Sequence, residues 1–442
     1  MRYQTAALIS LSCLSVALAN YEVGVNEYYC SAATPDAKTY TIPKDMELKH
    51  VQVIVRHGDR TPISILPQQA EHNVFWNCTD ETPEYNHLKL YGSNSNEIYN
   101  QILDNAAFNP YAKEYLLGTC MTGQLTPKGM RQKEHVGKEL RKIYVDKLGY
   151  LPKSLNKRNL KKSIFVRHTE KTRTKHTAIS LVSGLYPSNK LKGKLAIPFY
   201  TLPEHIETML SQPGQCPRLS KIQKDMLNEP SYNEYWDGQQ ETKKKMDAIL
   251  QTENTPAYQT KSLVRYMDEF RPLACNNFPL PCNLNNKSEC ITNEMAVQSY
   301  VGNDFEATWT MRDSPLAAEA NRLGIGLFLS ELRQSILDSI KDCKKTPAKM
   351  EIFSGHDTTV QPLLGVLKAE DFRWPPYASN LIVEVWQEKR SDKAYIRILF
   401  NGEVLKSPVC DFSLCPLETF MKLADQYIPK NFVEECKLTE EA

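Results

Sequence analysis

The chain predicts an α/β protein: a mostly parallel sheet flanked by helices, interrupted by a mostly helical inserted lobe. Three observations carry this. Short apolar runs at 47–58, 162–168 and 349–357 each end abruptly in a polar cluster. Amphipathic helical stretches lie between those runs. From about 195 to 305 strand-like runs thin out while apolar positions still recur with helical period. Strands that end together in polar residues are what an open α/β sheet presents where ligands bind.

The 442 residues suffice for one large body with a lobe, divided here as a core of 20–194 and 306–442 and an inserted helical lid of 195–305. A net charge of +2 is too near neutral to argue for nucleic acid or an anionic membrane surface, so anion binding has to come from a local cluster. Arg2, the apolar stretch 6–19 and the small residues Ala17 and Ala19 before Asn20 read as a cleaved secretory signal, 1–19. No later run sustains the length of a membrane span, so the mature chain is expected to have none. Twelve cysteines, eleven after cleavage, are spread out without paired C-x-x-C spacing and far from any histidine cluster. Disulfides with one thiol left over are expected, and no metal site. Asn77 and Asn286 open glycosylation tripeptides, meaningful in an exported chain.

Taking the elements in order, "ELKHVQVIVRHG" (47–58) is a strand with Val51, Val53 and Val55 on one side, stopped by Gly58 and Pro62. "LTPKGMRQKEHVGKELRKIYVDKLG" (125–149) is a helix capped by Thr126, with Pro127 first and Val136, Leu140, Ile143, Tyr144 and Leu148 on one face. "KSIFVRH" (162–168) and "KMEIFSGHD" (349–357) repeat the design of the first strand. The stretch 313–343 is a helix starting after Ser314, and its Gly324-Ile325-Gly326 follows no strand, so it reads as helix packing rather than a phosphate loop. "NLIVEVWQEK" (380–389) and "KAYIRILFNGE" (393–403) form an antiparallel hairpin at one edge of the sheet.

Chemistry concentrates at the ends of the first and third apolar runs. In "RHGDRTP" (56–62), Arg56 and Arg60 flank His57. A guanidinium fork matches phosphate oxygens, and two of them discourage protonation of the imidazole between. A neutral imidazole keeps a lone pair and can attack phosphorus. The leaving oxygen then needs an acid, and "FSGHDTT" (353–359) offers one: His356 to donate to phosphoryl oxygens, Asp357 to protonate the alcohol and later activate water. Alone, this pair would read as a turn with Asp357 capping the next helix.

These residues resemble the histidine acid phosphatase family, the branch with prostatic and lysosomal acid phosphatases and secreted phytases. "RHGDRTP" and "GHD" match its two most specific motifs, and "LTPKGMRQ", "PPYASNLIVEVW" and "CPLETF" extend the resemblance over nearly the whole mature chain. The resemblance implies the histidine phosphatase (phosphoglycerate mutase-like) fold. It implies His57 as the nucleophile that becomes phosphohistidine, Asp357 as the proton donor, and Arg56, Arg60 and His356 as phosphate ligands. It also implies a third guanidinium from Arg173, followed by Thr174 and Thr177-Ala178, so that Arg167-His168 becomes a side feature near the pocket mouth. Disulfides Cys216–Cys436 and Cys410–Cys415 are implied too. The partners of Cys30, Cys78, Cys120, Cys275, Cys282, Cys290 and Cys343 stay open. Prostatic-type members have cysteine after Tyr-Ala-Ser, whereas this chain has Asn380.

The expected function is a secreted, or vacuolar or lysosomal, acid phosphatase acting on small phosphate monoesters. It uses no cofactor, has no nucleic-acid partner, and leaves a homodimer open. Three alternatives accompany it: a phytase, for which "KTRTKH" is a suggestive basic rim; a phosphosugar phosphatase acting on glycans; and, from another class, a non-catalytic phospholigand-binding glycoprotein.

Overall fold

The structure is a computed structural model that describes residues 28–63, 66, 74–78, 90–91, 97–98, 116–193, 195–212, 214–341 and 346–438. The signal segment, Thr79 and Cys343 lie outside the described residues.

The main sheet contains β1 (Met46–Arg56), β2 (Ile164–His168), β3 (Met350–Gly355), β4 (Asn380–Glu388), β5 (Ala394–Phe400), β6 (Glu403–Val404) and β7 (Cys415–Pro416). Its order is β2-β3-β1-β4-β5-β6, with β7 also on β5. β2 runs parallel to β3 and β3 to β1, while β4 lies antiparallel to β1 and all later pairings are antiparallel. The sheet is therefore mixed where a mostly parallel one was expected. The reason is local: the hairpin of β4 and β5 attaches directly to the central β1, so half of the sheet follows hairpin direction.

Two helical layers cover it. On one face Val51, Val53 and Val55 pack with Val136 and Leu140 of α1 (Pro127–Arg141) and with Ala178, Leu181 and Leu185 of α2 (Thr172–Leu185). On the other, Ile54 and Phe353 meet α7 (Ala317–Ile340), α8 (Asp357–Val366) and α9 (Leu417–Gln426). With both faces covered, β1 is apolar on both sides of its inner half, which explains its run of aliphatic residues. Thr126 caps α1, its hydroxyl accepting from the Gly129 amide at 3.1 Å. α7 starts at Ala317, three residues past Ser314, whose hydroxyl accepts from the Leu316 amide. Gly326 lies inside α7, and a Cβ there would sit 2.3 Å from the Tyr427 carbonyl, so this glycine serves close packing.

The helical insertion supplies α3 (Pro217–Met226), α4 (Pro230–Leu250), α5 (Val264–Cys275) and α6 (Asn293–Thr308). α4, α5 and α6 bury Tyr232, Trp236, Met246, Tyr266, Phe270 and Tyr300 in a core of their own that also takes in Tyr29. Among the described residues no helix is long and apolar enough to cross a membrane. Cysteines pair as Cys30–Cys275, Cys78–Cys120, Cys216–Cys436, Cys282–Cys290 and Cys410–Cys415. Asn380 is buried and its side-chain amide donates to the Ala33 carbonyl at 3.1 Å, a hydrogen bond where relatives of the prostatic type place sulfur.

Candidate active site

Parallel pairing sets the three polar clusters side by side. Val55 is level with Ser354 and Ser354 with His168, so the residues that follow (Arg56-His57, Gly355-His356 and Thr169) emerge at one edge. Beyond β1 the chain turns sharply onto the start of α1. A Cβ on Gly58 would lie 2.3 Å from the Gly129 carbonyl oxygen, and one on Gly129 would lie 2.2 Å from that of Asp59. Only glycine at both positions allows this approach. Asp59 is buried beneath the turn, where its carboxylate accepts from Thr126 Oγ1 at 2.6 Å and from Asn276 Nδ2 at 3.1 Å.

His57 is 1% exposed and its Nδ1 lies 2.8 Å from the Gly58 carbonyl. A carbonyl only accepts, so Nδ1 carries the proton and Nε2 keeps the lone pair. Burial, then Arg56, Arg173 and Arg60, hold this imidazole well below its usual pKa of 6.5, so it stays neutral in mild acid. The three guanidiniums are positioned by different means. Arg56 donates to the Pro375 carbonyl and pairs with Asp357 Oδ2 at 2.7 Å, while its guanidinium carbon lies 4.5 Å from the centre of the Tyr377 ring. Arg60 pairs with Asp268 of α5. Arg173, near the start of α2, donates to His356 Nδ1 at 3.3 Å. In all three the Nε donor is buried without a hydrogen-bond partner among the described residues. Orphaned cationic donors are costly to bury, and a tetrahedral oxyanion would satisfy them.

Asp357 is the first residue of α8, and His356, not Asp357, takes the N-cap position. Its carboxylate accepts from Arg56, from the Thr358 amide at 2.9 Å and from Trp374 Nε1 at 3.2 Å. Burial raises its pKa, but Arg56, Arg60 and His356 outweigh that and bring it to about 2. His356 differs from expectation. Since Arg173 can only donate, His356 Nδ1 is the acceptor and Nε2–H donates to Thr169 Oγ1 at 2.8 Å. For His356 to donate to a phosphoryl oxygen, Nδ1 has to gain a proton while Arg173 turns its N–H to the anion.

The structure thus brings together Arg56, His57, Arg60, Arg173, His356 and Asp357. It separates Arg167, which is interior and paired with Glu207 at 3.2 Å and Glu331 at 2.7 Å rather than sitting at a pocket mouth. Register decides this: Arg167 is level with Phe353 and Ile54, two residues below Arg56, so it lies against Phe328 and Phe353 beneath the strand ends. His168 repeats the His57 arrangement, with Nδ1 2.6 Å from the next carbonyl, but no arginine of the pocket acts on it. Several members of the site were not found from sequence. Tyr377 and Trp374 lie in and just before "PPYAS", a block noted only for its resemblance. Lys133 is buried in α1, donates to the Ala378 carbonyl at 2.8 Å, and loses proton affinity through burial and Arg56. It supports the left-handed Ala378, at φ 66°, behind His57, whose carbonyl accepts from the Ala378 amide at 3.0 Å. Asp268 comes from the insertion. The heptapeptide "YMDEFRP" that holds it reads as an ordinary charged helix, so no sequence signal marked it.

Residues 47–401 match the family model described as "Histidine phosphatase superfamily (branch 2)". The chain belongs to that superfamily. At family level this makes it a phosphoric monoester hydrolase. It is 27% identical over 440 residues to Counting factor 60 of Dictyostelium discoideum, covering 98% of this chain and 97% of that one. It is 26% identical over 425 residues to the Mus musculus lysophosphatidic acid phosphatase type 6, covering 89% of both. Among solved structures, the apo phytase of Hafnia alvei superposes with a TM-score of 0.58 at 14% identity, covering 90% of this chain and 100% of that one. That likeness is one of fold.

Proposed function

We propose that this member of the superfamily hydrolyses small phosphate monoesters through a phosphohistidine on His57. The observation that carries the reading is the fixed tautomer of His57: Nδ1–H on the Gly58 carbonyl, Nε2 bare, and three orphaned guanidinium donors around it. Nε2 forms the N–P bond as the P–O bond to the alcohol breaks, and Asp357 delivers the proton to the departing oxygen. Water then attacks phosphorus, giving its proton back to Asp357 as the N–P bond breaks and inorganic phosphate leaves. Arg56, Arg60 and Arg173 neutralise the equatorial oxygens throughout.

The proton supply follows from charge. A carboxyl with a pKa of about 2 holds almost no proton at the acidity where the reaction is expected. A phosphate monoester loses its second proton only near pH 6, so below that it enters as a monoanion carrying one. Anion bound to Arg56 and Arg60 relieves their pull on Asp357, and the ester's own proton passes to it. This makes the reaction an acid-pH one.

His57 and Asp357, the residues this reading needs as nucleophile and donor, are both present beside the guanidiniums, which argues against a non-catalytic ligand-binding role. The names of the relatives span a lysophosphatidic acid phosphatase and phytases, whose substrates share a phosphate monoester and little else, so the reading stays at that class. The insertion acts as a lid, supported by the contact of its Asp268 with Arg60. Export to an oxidising compartment is supported by ten paired cysteines, and glycosylation at Asn77 and Asn286 by the exposure of both. The test is rapid quench with ³²P-labelled ester. The wild type should carry acid-labile, alkali-stable label on a histidine, and the folded His57→Ala variant neither label nor turnover. Label absent from wild type during turnover, or full activity in His57→Ala, ends the proposal.

A further inference from the structure

The insertion does more than cover the pocket. α5 places Asp268 on Arg60 and, one helical turn later, Arg271 close enough for its charge to act on Arg56. The C-terminal end of this helix is fastened at three points around the pocket, one of them on the nucleophile loop itself. Cys275 bonds Cys30, the Cys275 carbonyl accepts from Lys128, and Asn276 donates to Asp59. These contacts fix the end of the helix that carries Arg271, one turn from its side chain.

Its surroundings are unusual for a structural arginine. The guanidinium carbon lies 4.7 Å from the centre of the Tyr29 ring, 5.8 Å from Trp374 and 5.9 Å from Tyr300. The residue is 2% exposed, yet Nε and Nη2 have no hydrogen-bond partner, and no carboxylate among the described residues forms an ion pair with it. Asp304 is near enough to feel its charge, but that carboxylate is engaged by the Trp374 amide at 2.8 Å and by the Tyr29 hydroxyl. The Tyr300 hydroxyl, on the ring that faces Arg271, is also buried without a partner among the described residues. Aromatic faces stabilise a guanidinium without consuming its N–H groups. The cage thus leaves a buried cation with unused donors, which is costly unless an acceptor arrives.

The position indicates which acceptor. Trp374 spans the two sites, since its indole N–H donates to Asp357 Oδ2 while its ring faces Arg271. Asp357 stands where the alcohol departs, so Arg271 lies on the leaving-group side, beyond the three guanidiniums that take the phosphoryl group. We propose that Arg271 binds a second negative charge, carried by the leaving alcohol, and so selects anionic over neutral and cationic phosphate monoesters. This rests on the hydrolase reading above and narrows its substrate class.

The experiment compares kcat/KM in mild acid for three small esters of similar size: phosphoglycolate (anionic alcohol), ethyl phosphate (neutral) and phosphoethanolamine (cationic). Wild type should rank them in that order. Arg271→Met should lower the phosphoglycolate-to-ethyl-phosphate ratio by about 10- to 100-fold, the range of one charge-assisted hydrogen bond, and relatively favour phosphoethanolamine. Arg271→Gln, which refills the cage with a neutral polar chain, carries the same expectation if the Met variant does not fold. Arg271→Lys, retaining charge, should restore part of the ratio. If all three esters slow by the same factor, Arg271 only supports Arg56 and the proposal is overturned, as it is by a ratio that moves less than threefold. Wild type that turns over ethyl phosphate with no charge preference overturns this inference alone. Wild type that turns over none of the three overturns the hydrolase reading and this inference with it.

Discussion

Asp357→Asn tests the proton inventory of the site. The carboxylate is 13% exposed in its side chain and its pKa is about 2, so near pH 5 it is ionised by about a thousand to one before an ester binds. The substitution keeps the shape and the contact with Trp374 but cannot carry the transferred proton. It also removes the negative charge 2.7 Å from Arg56. Two effects of different character follow. Losing the acid should cost an alkyl ester about 10²- to 10⁴-fold in kcat, whereas p-nitrophenyl phosphate, whose leaving group departs as a stable anion, should lose about tenfold or less. Freeing Arg56 should tighten phosphate binding for both, so KM and the inhibition constant of inorganic phosphate should fall together. The assay is a leaving-group series of kcat and kcat/KM for both proteins near pH 5 and near pH 7. In wild type, alkyl esters should slow as the pH rises past about 6, where the monoanion and its proton disappear, and nitrophenyl phosphate should slow less. Equal losses across the series in Asp357→Asn, or alkyl esters that turn over faster above that pH, would refute the argument.

Further outcomes follow from other residues. Arg167→Met leaves Glu207 buried without its cation, so unfolding free energy should drop by about 3–5 kcal/mol in denaturant titrations while the folded fraction keeps its kcat. Arg173→Met should do the reverse, weakening phosphate binding and kcat with little change in stability, and a swapped pattern would mean the two arginines are misassigned. Glu306, in the insertion, accepts from Ser262 and is pushed by burial from 4.5 up to about 7. Raised in the folded state, it contributes stability below about pH 4.5 that is lost as pH rises through 7, by up to about 3 kcal/mol. Glu306→Gln should therefore raise Tm at pH 8 and leave it unchanged at pH 4, and the same Tm change at both values would contradict the assignment.

The sequence by itself determined what depends on local pattern. β1 and β3 were legible because aliphatic runs that end at Gly58 and at His356-Asp357 have few alternatives, and α1 because Thr126, Pro127 and a single apolar face specify its start and its orientation. Arg56, His57, Arg60, His356 and Asp357 were legible because all lie at or within four residues of a strand end, in two short dense motifs, so that one residue's position constrains its neighbours. Arg173 and two disulfides came from resemblance alone, since nothing in their spacing distinguishes them. The direction of half of the sheet depended on where the β4–β5 hairpin docks, a contact over 300 residues long in sequence separation. The fates of the two Val-Arg-His stretches were decided in the same way: identical tripeptides end on parallel strands, but only the one on β1 faces Arg60, Arg173 and Tyr377, while Arg167 turns to Glu207 and Glu331. Asp268 and Arg271 were invisible beforehand because a charged residue on a helix is ordinarily solvated. They reach the pocket only because the Cys30–Cys275 bond and the packing of α5 hold that helix face against Arg60 and Trp374. Chemistry written along one strand end can be read from the chain, but a charge brought to it from a distant helix is created by burial, and burial is a property of the folded whole.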